Sequence, residues 1–166
     1  MKRNKRVVYL CESALVAAMY FVLTWLSNFA GLASGAVQLR LSEALCVLPY
    51  FMPSSVMGLF VGCLISNFTM GSVIVDTVFG SLATLVGAYI ASRIKTKYLV
   101  PLPTVIANTV VVPLVIMYAY TEVRSWGVYL VTTAGVFLGE VISSYVLGLV
   151  LLYALDRKKG IFNKKH

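Results

Sequence analysis

The sequence predicts an all-α membrane protein, a bundle of about six transmembrane helices with both termini in the cytoplasm. Composition gives the first reason, because 60% of the 166 residues are hydrophobic and 12% are charged, whereas soluble domains carry roughly 25% charged residues. Long apolar runs separated by short polar breaks give the second reason. No stretch alternates in polarity over about ten residues, as the strands of a membrane barrel do. Residues 1–166 are therefore predicted to form a single integral membrane domain.

Each apolar run is interpreted as one helix, and about 20 residues are needed to span a bilayer. The runs cover residues 7–29, 41–52, 54–70, 73–92, 99–120 and 127–155. The second run, which contains Pro49 and stops before Pro53, is short for a full crossing and is also compatible with a re-entrant segment. Pro101, Pro103 and Pro113 predict an irregular or kinked helix in the fifth run.

Small side chains four residues apart allow neighbouring helices to approach closely. The third run has such a stripe at Gly58, Gly62 and Ser66, which predicts tight packing against another helix. The first run has Ala14 and Ala18 at the same spacing. For these two alanines the residues alone favour packing inside the bundle over a docking face for a partner membrane protein.

Basic residues predict the orientation of the bundle in the membrane. All of them except Arg40 and Arg124 lie in a basic N-terminal tail, residues 1–6, in a loop, residues 93–97, or in a basic C-terminal tail, residues 156–166. The positive-inside rule places these three segments in the cytoplasm and requires an even number of crossings. The aromatic residues expected near the outer boundary are Trp25, Phe29, Tyr118, Tyr120, Trp126 and Tyr129.

Polar side chains interrupt the apolar runs at positions where contact with lipid would be costly. The candidate binding residues are Gln38, Arg40, Glu43, Asn67, Asp76, Asn108, Glu140 and Ser144. A carboxylate at the centre of a spanning helix costs about 2.5–3.5 kcal/mol. We therefore expect a function for Glu140, which Ser143 and Ser144 follow on roughly one helical face. We interpret the cluster at residues 38–43 as the mouth and part of the wall of a small-molecule site.

Several of these candidates also have a purely structural explanation. Glu43 and Asp76 lie where the first turn of a helix is expected, and the helix dipole favours acids there. Arg40 is close enough in sequence to pair with Glu43. Asn67 and Asn108 are of the type that forms hydrogen bonds between transmembrane helices.

The sequence shows no motif for enzyme chemistry or for metal binding. It has no GxxxxGK[ST] phosphate loop, no Ser-His-Asp set and no zinc motif, and its one histidine is His166. Cys11, Cys46 and Cys63 lie in apolar runs and are expected to be small buried hydrophobic residues. We expect no enzyme activity, no cofactor, no metal and no nucleic-acid partner. Carboxylates instead suit reversible binding of a ligand with adjacent N–H donors or an ammonium group.

Four segments, QLRLSEALCVLPYF, VDTVFGSLATLVGAYI, PLPTVIANTVVV and GEVISSYVLGL, resemble the QueT family over residues 7–155. The resemblance implies a queuosine-precursor transporter that is the substrate-binding S-component of an energy-coupling factor (ECF) importer. It implies a six-helix bundle in the bacterial plasma membrane with the ligand near the outer side. It also implies that Ala14 and Ala18 dock the transmembrane T-component, and that two ATPase subunits are separate proteins.

The ligand that the resemblance implies is a deazaguanine, either the aminomethyl precursor or queuine. Glu140 or Glu43 would then contact the guanine-like edge, and Asp76 would meet the cationic arm, with Glu43 as the second choice. One alternative is a stand-alone secondary transporter in which Glu140 relays protons. Another is a membrane protein without transport activity, in which the acids only hold helices together.

Overall fold

The computed structural model describes residues 4–32, 37–121 and 125–157, and these ranges contain helices and short connections without a strand. The elements are α1 (Lys5–Phe29), a 3₁₀ segment (Leu41–Tyr50), α2 (Ser54–Thr69), α3 (Ile74–Ala91), a short 3₁₀ turn (Lys97–Leu99), α4 (Leu102–Ala119), α5 (Trp126–Glu140), a π segment (Val141–Leu147) and α6 (Gly148–Arg157). The all-α prediction is confirmed for these ranges. Each of α1–α5 and the longer 3₁₀ segment begins within three residues of the start of a predicted run, whereas the sixth run is divided into α5, the π segment and α6.

Four helical stretches are long and apolar enough to cross a membrane: Lys5–Phe29, Ile74–Ala91, Lys97–Ala119 and Trp126–Arg157. Leu41–Tyr50 and Ser54–Thr69 are apolar but shorter. The chain is therefore a helical membrane protein with several candidate spans. Six crossings with both termini in the cytoplasm stay a prediction, because residues 1–3, Arg124 and residues 158–166 lie outside the described residues.

The 3₁₀ segment descends beside α1 in the opposite direction. At its start the backbone N–H of Leu41 donates to Ser27 Oγ at 2.9 Å. Just beyond its end the carbonyl of Ser54 accepts from Ser13 Oγ at 2.7 Å. The distance along α1 from Ser27 to Ser13 is about 21 Å at 1.5 Å per residue. Ten residues of 3₁₀ helix cover about 20 Å, since each residue rises about 2.0 Å, so this tighter winding lets a short segment follow α1 without turning back.

Two glycines bring α2 against α1, as the small-residue stripe predicted. A Cβ atom on Gly58 would lie 2.6 Å from the carbonyl oxygen of Ser13, and one on Gly62 would lie 2.8 Å from Tyr20 Cβ. Ala14 and Ala18 are exposed on α1, so the interpretation that they pack inside the bundle is wrong for the chain by itself.

Two further expectations need correction. Pro101 precedes α4 and Pro103 lies in its first turn, where a missing N–H costs nothing, so Pro113 alone interrupts that helix. Cys46 and Cys63 are buried as expected, whereas Cys11 is exposed on α1.

Apolar packing and an ion pair between described residues close the end of the bundle that holds the loop after α3. Val47, Ala91, Val100 and Leu152 form a buried cluster there. Lys97 Nζ lies 2.5 Å from Asp156 Oδ2, which ties the short 3₁₀ turn to α6. The opposite end, where α1 and α2 finish, contains the polar residues of the candidate site.

Candidate functional site

A cavity of about 440 Å³ opens at the end of the bundle where α1 and α2 finish and α3 begins. We call it the upper cavity. It is lined by Thr24, Asn28, Gln38, Arg40, Asn67, Met70, Gly71, Ser72, Asp76, Val112, Ile116 and Tyr120. Ligand pockets typically have volumes of about 300–1,000 Å³, so the cavity has the size expected for a small molecule.

A narrow slot of about 20 Å³ continues from the upper cavity, with which it shares Gln38, Arg40 and Val112. The slot is lined by Gln38, Arg40, Glu43, Gly80, Thr84, Asn108, Val112, Val136 and Glu140. A volume of this size holds about one water molecule. The slot can therefore receive only the edge of a ligand whose bulk lies in the upper cavity.

All the candidate binding residues except Ser144 line one of these two spaces, and their binding role stays a prediction. Ser144 is buried, and its hydroxyl has no hydrogen-bond partner among the described residues. The structure adds Thr24, Asn28 and Tyr120 to the wall. Thr24 and Asn28 gave no sequence signal, since uncharged polar residues are common near the end of an apolar run.

Gln38 and Arg40 reach the site from the short connection before the 3₁₀ segment. A Cβ atom on Gly139 would lie 2.1 Å from the carbonyl oxygen of Gln38, so a glycine is needed where this connection passes α5. Arg40 Nη1 donates to Asn67 Oδ1 at 3.4 Å. Within the described ranges, Arg40 forms no ion pair with Glu43, and the pairing that the sequence left open is therefore wrong.

Glu43 lies in the first turn of the 3₁₀ segment and is only 1% exposed. Its Oε1 accepts a hydrogen bond from the Tyr20 hydroxyl. Its Oε2 accepts from Cys46 Sγ at 3.2 Å and from Asn108 Nδ2 at 3.4 Å. Both oxygens are thus supplied by donors from α1, from the 3₁₀ segment itself and from α4.

Glu140 is the last residue of α5 and is 8% exposed. Its Oε1 accepts from Asn108 Nδ2 at 2.9 Å. Its Oε2 and the Oδ1 of Asn108 have no hydrogen-bond partner in the part of the chain that the structure describes. Buried polar atoms are nearly always paired in folded proteins, so these two acceptors mark a place where a ligand or water is expected.

The π segment follows Glu140 directly, and π turns are frequent at functional sites. The sequence argument placed Ser143 and Ser144 on the face of Glu140 by α-helical spacing, which the π winding alters. Both serines are nevertheless buried, with hydroxyls unpaired among the described residues. No residue of the segment signals the π turn, because it contains neither glycine nor proline.

Asp76 lies in the first turn of α3 and faces the upper cavity. Its Oδ2 accepts from the Tyr120 hydroxyl at 3.1 Å, and that hydroxyl accepts from the backbone N–H of Val73 at 3.0 Å. The expected helix-start position of Asp76 is therefore confirmed, and it does not exclude a cavity-lining role. Tyr120, assigned from sequence to an aromatic belt, also orients this acid.

The two spaces together contain three acids, Glu43, Asp76 and Glu140, and one guanidinium group, that of Arg40. The described residues include no group of three metal-ligating side chains that could hold an ion. Because carboxylates accept hydrogen bonds and attract cations, the site suits an uncharged or cationic ligand rich in N–H donors.

Comparison with known proteins identifies one family. The family model described as QueT transporter matches residues 10–157. The curated protein "Queuosine precursor transporter QueT" of Lactococcus lactis subsp. cremoris (strain MG1363) is 35% identical to this chain over 102 residues. The match covers 59% of this chain and 59% of that protein, so the chain spans about three fifths of the length of this relative. No solved structure matches the chain.

Proposed function

The chain belongs to the QueT transporter family, and from this membership we propose that it captures a queuosine precursor as the S-component of an ECF importer. In this role it binds the substrate within the membrane and hydrolyses no ATP. The proposed substrate is a deazaguanine base, such as the aminomethyl precursor or queuine. The relative from Lactococcus lactis carries the name of a queuosine precursor transporter, which supports this substrate class.

The observation that carries the proposal is the convergence of Glu43, Asp76 and Glu140 on two connected spaces of suitable size. A guanine-like edge presents a ring N–H beside an exocyclic amine, and both need acceptors. The aminomethyl arm adds a cation. Because carboxylates satisfy both needs, a cationic deazaguanine fits this site better than an anionic solute does.

The two spaces favour one orientation of the ligand. The guanine-like edge would enter the slot and meet Glu140, since the slot admits only an edge. The amine arm would remain in the upper cavity, where Asp76 is available. Glu43 is a weaker candidate for contact with the cationic arm, because each of its oxygens already accepts a hydrogen bond.

We place both termini and residues 93–97 in the cytoplasm of a bacterium, with six crossings of the plasma membrane. The distribution of basic residues supports this orientation, and the course of the 3₁₀ segment beside α1 supports six crossings rather than four. The upper cavity would then open towards the outside of the cell, where the substrate is captured.

Ala14 and Ala18 are proposed as the docking stripe for the T-component of the importer. Both are exposed, while α2 packs on a different side of α1 at Ser13 and Tyr20. Small side chains there would allow a helix of the partner to approach closely. Two ATPase subunits would complete the complex, since the sequence has no phosphate loop.

A stand-alone, proton-coupled secondary transporter is the second candidate. The bridge from Glu43 through Asn108 to Glu140 favours it, because chains of intramembrane acids often relay protons. Uptake into vesicles separates the two. If the chain is part of an importer, uptake should require ATP and co-reconstituted partners. Uptake by this chain alone under a pH gradient would contradict the importer and support the secondary transporter.

A further inference from the structure

We propose that Glu140 and Asn108 form an acceptor pair that selects ligands with two neighbouring N–H donors on one ring edge. The acceptor pair consists of Glu140 Oε2 and Asn108 Oδ1, and Glu43 is a positioning residue that helps to hold Asn108. This inference rests on the proposed function, and it adds the chemical rule by which the slot distinguishes a guanine-type base from other purine-like bases.

The side-chain amide of Asn108 has both of its N–H groups occupied and, among the described residues, its oxygen free. A side-chain amide nitrogen carries two hydrogens. In Asn108 this nitrogen contacts Glu140 Oε1 at 2.9 Å and Glu43 Oε2 at 3.4 Å, one carboxylate for each hydrogen. Asn108 is 4% exposed. The two acids therefore fix the amide with its oxygen as the only free group, and Asn108 can offer a ligand an acceptor but no donor.

The two acids differ in how many of their oxygens are already paired. Glu43 has a donor on each oxygen, from Tyr20 on Oε1 and from Cys46 and Asn108 on Oε2. Glu140 has a donor on Oε1 only, and its Oε2 is unpartnered among the described residues. Both acids therefore orient the amide, and Glu140 alone also supplies the second acceptor of the pair.

Such an acceptor pair distinguishes ligands by the donors on one ring edge. A guanine-type edge offers a ring N–H and an adjacent amine, which together satisfy both acceptors. A hypoxanthine-type edge lacks the amine and leaves one acceptor buried and unpaired. An adenine-type edge directs a ring nitrogen, itself an acceptor, at the pair. Arg40 also lines the slot and is the available donor for the ring carbonyl of a guanine-type base.

The test compares two ligands, aminomethyl-deazaguanine and its analogue without the exocyclic 2-amino group, by calorimetric titration of the purified full chain. Wild-type protein should bind the analogue about 10- to 100-fold more weakly, because one buried acceptor loses its donor. We assign the 2-amino group to Asn108 Oδ1 and the ring N–H to Glu140 Oε2, so the ratio should fall to within about threefold in Asn108→Leu. In Tyr20→Phe, which disturbs only the support of Glu43, both affinities should fall together and the ratio should persist.

Equal affinities of the wild-type protein for the two ligands would overturn the acceptor pair and leave the proposed function intact. The same conclusion follows if Asn108→Leu keeps the wild-type ratio. Where Asn108→Leu does not fold, Asn108→Ala serves instead, since it also removes the acceptor for the 2-amino group and should lower the ratio in the same way. If the wild-type protein binds neither of these two ligands nor queuine, the proposed function itself is overturned, and the acceptor pair with it.

Discussion

Replacement of Glu140 by alanine is predicted to nearly abolish ligand binding. The change removes both carboxylate oxygens, so the ligand loses an acceptor at Oε2 and Asn108 loses the partner of one N–H. Breaking one side of a buried charged contact costs roughly 3–5 kcal/mol. At about 1.4 kcal/mol per factor of ten, affinity should fall at least a hundredfold.

The assay is calorimetric titration with aminomethyl-deazaguanine, accompanied by thermal unfolding of each variant. Glu12→Gln is the matched control. Glu12 Oε2 accepts from Ser54 Oγ at 2.7 Å far from the cavities, and an amide oxygen can replace that acceptor. A structural role for Glu140 predicts a lower melting temperature with unchanged affinity. Binding by Glu140→Ala within threefold of wild type, with folding intact, would refute the reasoning.

The remaining predictions concern other parts of the molecule. Ala14→Trp or Ala18→Trp should leave ligand binding intact but abolish co-purification with the T-component, because a bulky side chain blocks close helix approach; wild-type yield of the complex would contradict this. Asp76→Asn should lower the affinity for aminomethyl-deazaguanine but keep the affinity for a deazaguanine without the arm within threefold of wild type, as measured by titration. An equal loss of affinity for both ligands would contradict the contact between Asp76 and the arm. Gly62→Ala should lower the melting temperature, since the added Cβ atom meets Tyr20 Cβ at 2.8 Å and overpacking typically costs about 1–3 kcal/mol. Gly127→Ala is its control, with the nearest atom at 3.8 Å, and equal melting temperatures would refute the packing argument.

The helical architecture was predictable because it depends on local composition. Apolar runs and the breaks between them locate the helices, and the close contact at Gly58 and Gly62 follows from their spacing. The same spacing of small residues at Ala14 and Ala18 did not determine whether they pack inside the bundle or face a partner. Whether small residues face inward depends on how a helix is rotated, and the contacts of α2 with Ser13 and Tyr20 determine that rotation for α1.

The candidate site was predictable as a set of residues but not as a network. Polar residues in apolar surroundings identified Glu43, Asn108 and Glu140, because burial of such groups requires partners. Their partners come from distant parts of the chain, as with Tyr20 on Glu43. A tyrosine inside an apolar run gives no sign of the acid it will contact. The different roles of the two glutamates therefore emerged only from the tertiary structure.

The central claim is that this chain itself binds a queuosine precursor. Titration of the purified chain in detergent with aminomethyl-deazaguanine and with queuine, by calorimetry, tests it most directly. The account predicts saturable binding of at least one of them, with one ligand per chain, and its loss in Glu140→Ala. No heat with either ligand, beside a positive control that binds under the same conditions, would contradict the claim.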